Sequence, residues 1–185
     1  GNLVNRAVSL CSKYNDAKVP DVKVPKEMEY PFDIKEYVQK MDAAFKNLRN
    51  CEAANAVAHA CSLGNKWLAD LEPWKMKDDV AKRDIAVRQL LEVVYVLAHL
   101  FSPFIPRACA AIFKKLNTEP VAMVTLKNDF TNLKVGTTVE VGDVLFDILG
   151  ALRETDLREV NHLIWKYNFG VYTTKKFVSS HYHIL

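Results

Sequence analysis

From Leu90 to Phe101 the chain is apolar on nearly every side. A helix with no polar face is buried on all sides, so this segment predicts one central helix that other helices must surround. The apolar stretch reaches back to Ile85 but holds Arg88, Glu92 and His99. Those three side chains argue for the middle of a protein and against a bilayer. Asp78 is expected to cap this helix. Asp79–Arg83 and Asp84–Arg88 are expected to pair along its more polar first half.

The remaining helices follow from apolar spacing. Asn2 to Tyr14 places Leu3, Ala7, Leu10 and Tyr14 on one stripe, with Val4 and Val8 on its flank. Asp33 to Asn50 does the same with Ile34, Val38, Met41, Phe45 and Leu48, and carries Glu36–Lys40 and Asp42–Lys46 outward. Cys51 to Leu71, capped by Asn50, is rich in alanine, and Gly64 marks a place of tight packing. Pro103 and Pro106 lead into a fifth helix, Arg107 to Leu116, with Ala110, Ala111, Ile112 and Phe113 inward. The last third reads as a turn and short strand near Gly136–Gly142. A final helix is expected from about Asp156 to Tyr167, with Thr155 as its cap. The expected fold is all-α: a bundle of about five helices plus a C-terminal helix, with a minor strand or turn element. Residues 1–119 form the bundle, 120–170 a C-terminal extension of the same domain, and 171–185 a tail.

Composition limits the function. In 185 residues the net charge is only +3, which does not suit a strong non-specific polyanion binder. It does suit a module that reads a few bases and leaves most phosphates to a partner. The four cysteines show no C-x-x-C spacing, so neither a metal site nor a disulfide framework is expected, and reduced thiols point to the cytoplasm. There is no Ser/His/Asp or Cys/His set, carboxylate pair or phosphate-binding glycine loop of the kind a self-sufficient enzyme needs. His59 and the terminal His181 and His183 receive no catalytic role.

The end of the third helix is the most informative local feature. Pro73 cannot donate its N–H and disfavours helical geometry in the residue before it. Trp74 therefore follows a rigid stop at the rim of the bundle. It is either a core plug or an exposed platform for a ring-shaped ligand such as an unstacked base. Lys75 and Lys77 form a short basic bridge beside it. At the other candidate position, Asn2 and Arg6 share a helix face about 6 Å apart along the axis. Asn2 is otherwise a helix cap and Arg6 a solvated arginine.

Gly1-Asn2-Leu3-Val4-Asn5-Arg6 and Asn65-Lys66-Trp67-Leu68-Ala69-Asp70-Leu71-Glu72-Pro73-Trp74 together resemble the anticodon-binding domain of methionyl-tRNA synthetases. So does Leu100-Phe101-Ser102-Pro103-Phe104-Ile105-Pro106 further on. The resemblance covers about residues 1 to 170. It implies that Asn2 and Arg6 hydrogen-bond the first anticodon base, a cytosine, and that Trp74 stacks under it. An amide and a guanidinium offer the matching donors and acceptor. Asn65 is expected to hold the Pro73 turn. One departure is that many relatives carry an acid at the position of Ala69, where this chain has Asp70.

The chain opens on glycine inside the first motif and lacks the H-I-G-H and K-M-S-K-S type signatures. The expectation is a domain excised from a longer methionine–tRNA ligase. No cofactor is expected in this chain, while the parent would use ATP and Mg. The expected partners are methionine tRNA with its CAU anticodon and a catalytic domain, with no membrane. The competing reading is a non-catalytic helical interaction or scaffold module. A stand-alone enzyme ranks last.

Overall fold

The computed structural model describes residues 2–25, 29–76, 78–142 and 145. Among them run five α-helices: α1 (Asn2–Tyr14), α2 (Ile34–Lys46), α3 (Asn50–Leu71), α4 (Val80–Phe101) and α5 (Pro106–Lys115). Single 3-10 turns occupy Pro73–Lys75 and Met123–Thr125. The described residues form no strand. The expected strand element reduces to one antiparallel bridge, Lys18 with Thr138. Its partner is the connection after α1: Val19 N–H donates to Thr137 O at 2.9 Å, and Val139 N–H to Ala17 O at 2.7 Å. The expected helix from Asp156 to Tyr167 and the tail lie outside the described residues.

α4 is the axis of the bundle, as its composition demands. Every residue from Ala86 to Leu100 is buried, and α1, α3 and α5 each pack on it, while α2 packs on α3. Each fully buried Leu or Val there contributes about 1.5–3 kcal/mol. Gly64 lets three helices meet. A Cβ on it would lie 3.2 Å from Val93 Cγ1 on α4 and 3.6 Å from Leu3 Cδ2 on α1.

Two buried charged groups on α4, Arg88 and Glu92, bond to a strap formed by residues 127–139. Glu92 accepts backbone N–H bonds from Asn132 at 2.9 Å and Leu133 at 2.7 Å, and pairs with Arg88 at 2.9 Å. Arg88 in turn donates to Leu133 O at 2.6 Å. Burial still pushes the Glu92 carboxyl above its usual range, against the lowering by these donors and by Arg88. Arg88 therefore turns inward to Glu92 and not to Asp84 as the spacing suggested. Asp84 instead lies 3.8 Å from Arg83. Phe130 anchors the strap, fully buried and stacked on Tyr30 at 4.5 Å between ring centres. Asn128 on the same strap accepts from Ile34 N at 2.8 Å and so helps Asp33 cap α2. Residues 120–142 are thus part of the bundle's core packing.

Other local departures have simple causes. α2 stops at Lys46, and Leu48 adopts a left-handed backbone (φ 56°) that turns its side chain out, 87% exposed, although the periodicity placed it inward. Asn50 is the first helical residue of α3, and the cap position falls on Arg49 without a side-chain bond. Asp79, not Asp78, caps α4, because its Oδ1 meets Lys82 N at 2.9 Å. On α5, Cys109, Ile112 and Phe113 face inward while Ala110 and Ala111 are exposed. Asn65 donates to Cys61 O at 2.9 Å, one turn back on its own helix, and does not reach the Pro73 turn.

Candidate nucleic-acid interface

The Trp74 rim is built by a sharp stop. α3 ends at Leu71, and Glu72 takes a left-handed conformation (φ 45°, ψ 54°) while donating its N–H to Leu68 O at 3.2 Å. A non-glycine residue is strained there, and the turn that follows is closed by two backbone bonds. Lys75 N–H returns to Glu72 O at 2.8 Å, and Met76 N–H to Pro73 O at 3.3 Å. This single turn packs on α4. Pro73 is buried under it, and Trp74 is 37% exposed. Trp74 thus sits at the rim, partly covered and partly open to solvent.

α1 supplies the facing wall. Its buried stripe of Leu3, Val4, Ala7, Val8 and Cys11 fixes the helix against α4, which leaves Arg6 exposed on the outer edge. The Arg6 guanidinium carbon lies 5.9 Å from the Trp74 ring centre, within cation–π range. Arg6, Ser9, Leu10, Lys13 and Trp74 line an open cavity of about 370 Å³. Its chemistry is an aromatic face, a planar fork of donors, an apolar floor and a second cation. That set can stack a base, bond its edge and neutralise a phosphate.

Of the residues singled out from the sequence, Arg6, Pro73 and Trp74 come together. Asn2 is exposed in the first turn of α1 and does not line the cavity. Lys75 is ion-paired with Glu72 at 2.8 Å and also lies outside the lining. Lys77 lies outside the described residues. Ser9, Leu10 and Lys13 were missed as site residues. Their spacing of three, four and seven positions from Arg6 is the signal that would have found them.

A larger cleft, about 1070 Å³, opens between α5 and the strap, with Cys109, Phe113, Lys114, Lys134 and Glu140 among its lining. Its charges are mixed and its one aromatic, Phe113, is buried, so it offers no stacking face. None of the sequence-derived site residues lines it. His59 is exposed and bonded to Tyr37 Oη at 2.6 Å. Among the described residues no group of His, Cys, Asp and Glu is placed to hold a metal ion, and no helix is long and apolar enough to cross a membrane.

Known proteins resemble this chain in sequence and in fold. Residues 19–160 match the family model described as the anticodon binding domain of methionyl tRNA ligase. The chain is 33% identical over 156 residues to a methionine–tRNA ligase of Cytophaga hutchinsonii, covering 80% of this chain and 22% of that protein. It is 30% identical over 149 residues to a methionine–tRNA ligase of Pyrococcus horikoshii, covering 79% and 20% respectively. The chain thus spans about a fifth of the length of these relatives. Among solved structures, the free form of Mycobacterium tuberculosis methionyl-tRNA synthetase shares the fold with a TM-score of 0.55 at 22% identity, over 80% of this chain and 31% of that one. An all-α bundle of this topology, matched by the family model over most of its length, belongs to the family of anticodon-binding domains of methionyl tRNA ligase.

Proposed function

We propose that this chain recognises the CAU anticodon of methionine tRNA through the groove between Trp74 and α1, as one part of a methionine–tRNA ligase. The ATP-dependent aminoacylation belongs to a catalytic domain elsewhere in that protein. The observation that carries the reading is the meeting of Arg6 and Trp74 across an open cavity in a chain of the anticodon-binding family. In this reading the first anticodon base leaves the loop's stack and lies on the Trp74 indole. Arg6 donates to its edge, where the fork of a guanidinium suits the O2 and N3 acceptors of cytosine. Pro73 is buried and fixes the platform. Asn2 adds an amide from one turn away on α1, and Lys75 and Lys77, close to Trp74 in the sequence, are further candidate contacts to the anticodon.

The magnitudes are sufficient for selection. Stacking on one aromatic side chain is worth about 1–3 kcal/mol, and a good bidentate base contact contributes about the same. The test is binding of the chain to two anticodon stem-loops at fixed moderate salt, one CAU and one with its first base changed. A clear preference for CAU supports the reading, and equal binding of the two sinks it.

A further inference from the structure

Arg6, Ser9, Leu10 and Lys13 make one continuous edge of α1, about 10 Å from end to end at 1.5 Å per residue. Trp74 closes the cavity at the Arg6 end, and Lys13 lines the same cavity from the other. That length exceeds what a single stacked base covers. The two cations differ in kind. Arg6 presents a planar fork suited to a base edge, whereas Lys13 is a point charge with no acceptor, suited to phosphate.

Lys13 is also available. It is exposed, and none of the ion pairs among the described residues engages it. Its ammonium lies 5.0 Å from the Tyr14 ring centre. The Tyr14 ring also carries the Arg83 guanidinium, at 4.3 Å. Arg83 itself is largely buried, sits beside Asp84, which offsets its charge, and does not line the cavity.

We infer that the groove holds a second subsite, in which Lys13 neutralises a phosphate of the nucleotide next to the one stacked on Trp74. Leu10 lies between the two sites as an apolar floor, and the Ser9 hydroxyl is placed to bond the sugar–phosphate. The inference rests on the anticodon reading and divides the labour within it: Arg6 and Trp74 select the base, and Lys13 adds affinity without selecting.

The division is tested with Lys13→Gln, measured against the wild-type chain on the CAU and altered stem-loops over a salt series. The expected result is a several-fold weakening that is the same for both stem-loops. The slope of log affinity against log salt becomes shallower by about 0.7, the value for one phosphate contact on a single strand. The ratio of the two affinities stays at its wild-type value. Unchanged affinity and slope in the variant, with a wild type that prefers CAU, would overturn the subsite and leave the anticodon reading standing. A changed ratio would overturn it too, because Lys13 would then be reading a base. A wild type without any CAU preference removes the underlying reading itself.

Discussion

The Arg6 guanidinium carbon sits over the Trp74 indole, 5.9 Å from its ring centre. The two residues come from the first turns of α1 and from the stop after α3, and α4 holds both segments in place. Each residue orients the other, because the cation is attracted to the ring face and the ring is limited by the cation's position.

Replacing either residue should therefore weaken anticodon binding without unfolding the chain. Trp74→Ala and Arg6→Ala are each expected to cost about 1–3 kcal/mol, roughly fivefold to 150-fold in affinity. The double variant should lose less than the sum, since the two are in contact. Binding to the CAU stem-loop, with circular dichroism as the folding control, checks this. Normal affinity in either single variant sinks the role of that residue.

Glu92 ties the strap to α4, and its replacement tests whether residues 127–139 are integral to the fold. Glu92→Ala leaves Arg88 buried without its carboxylate and strips the Leu133 and Asn132 amides of their acceptor. Breaking a buried pair this way costs about 3–5 kcal/mol. Urea denaturation should show that loss in the midpoint. A change below about 1 kcal/mol would mean that the strap is not held by this carboxylate.

His99 should make stability depend on pH. Its Nε2 accepts the Val121 N–H at 3.0 Å, which leaves Nδ1 as the donor to Tyr95 O at 2.8 Å, so the buried ring is neutral. Burial holds its pKa below the ordinary histidine value of 6.5. The unfolded chain then binds the proton more readily than the folded one. The stabilisation is complete above the unfolded value and is lost as pH falls through the lower folded value. Thermal melts of the wild type should drop as pH falls below the ordinary histidine value of 6.5, while His99→Gln should melt with a flatter profile. Parallel profiles in the two proteins would refute the assignment.

Leu48 is a site where the fold can be improved. It is 87% exposed with φ at 56°, a conformation that costs an L-residue about 1–2 kcal/mol and glycine almost nothing. After glycine's extra chain entropy, Leu48→Gly should stabilise by roughly 0.5–1 kcal/mol. A rise of a few degrees in the melting temperature is expected. A lower melting temperature would show that Leu48 makes contacts that outweigh the strain.

What the sequence by itself determined was the local and the periodic. The uninterrupted apolar run of α4 required a buried axis, the 3.6-residue stripes set α1 and α3 to within about a residue, and Pro73 ended α3 on purely covalent grounds. It also carried the motif around Trp74, since a ring placed just beyond a proline stop must lie at a helix end. What only the tertiary structure decided was which distant partner each group would meet. Arg88 had two acidic neighbours at helical spacing, Asp84 and Glu92. Glu92 won because the strap's amides, 40 and 41 positions away along the chain, complete its shell. The cavity edge of Ser9, Leu10 and Lys13 was likewise periodic in the sequence. Yet nothing local says that α1 faces the Pro73 turn, because that depends on how α1 and α3 pack on α4 around Gly64. Secondary structure and stops are set by the backbone's own dihedral and hydrogen-bond limits, while a site shared by two segments exists only once burial of their apolar faces has chosen their neighbours.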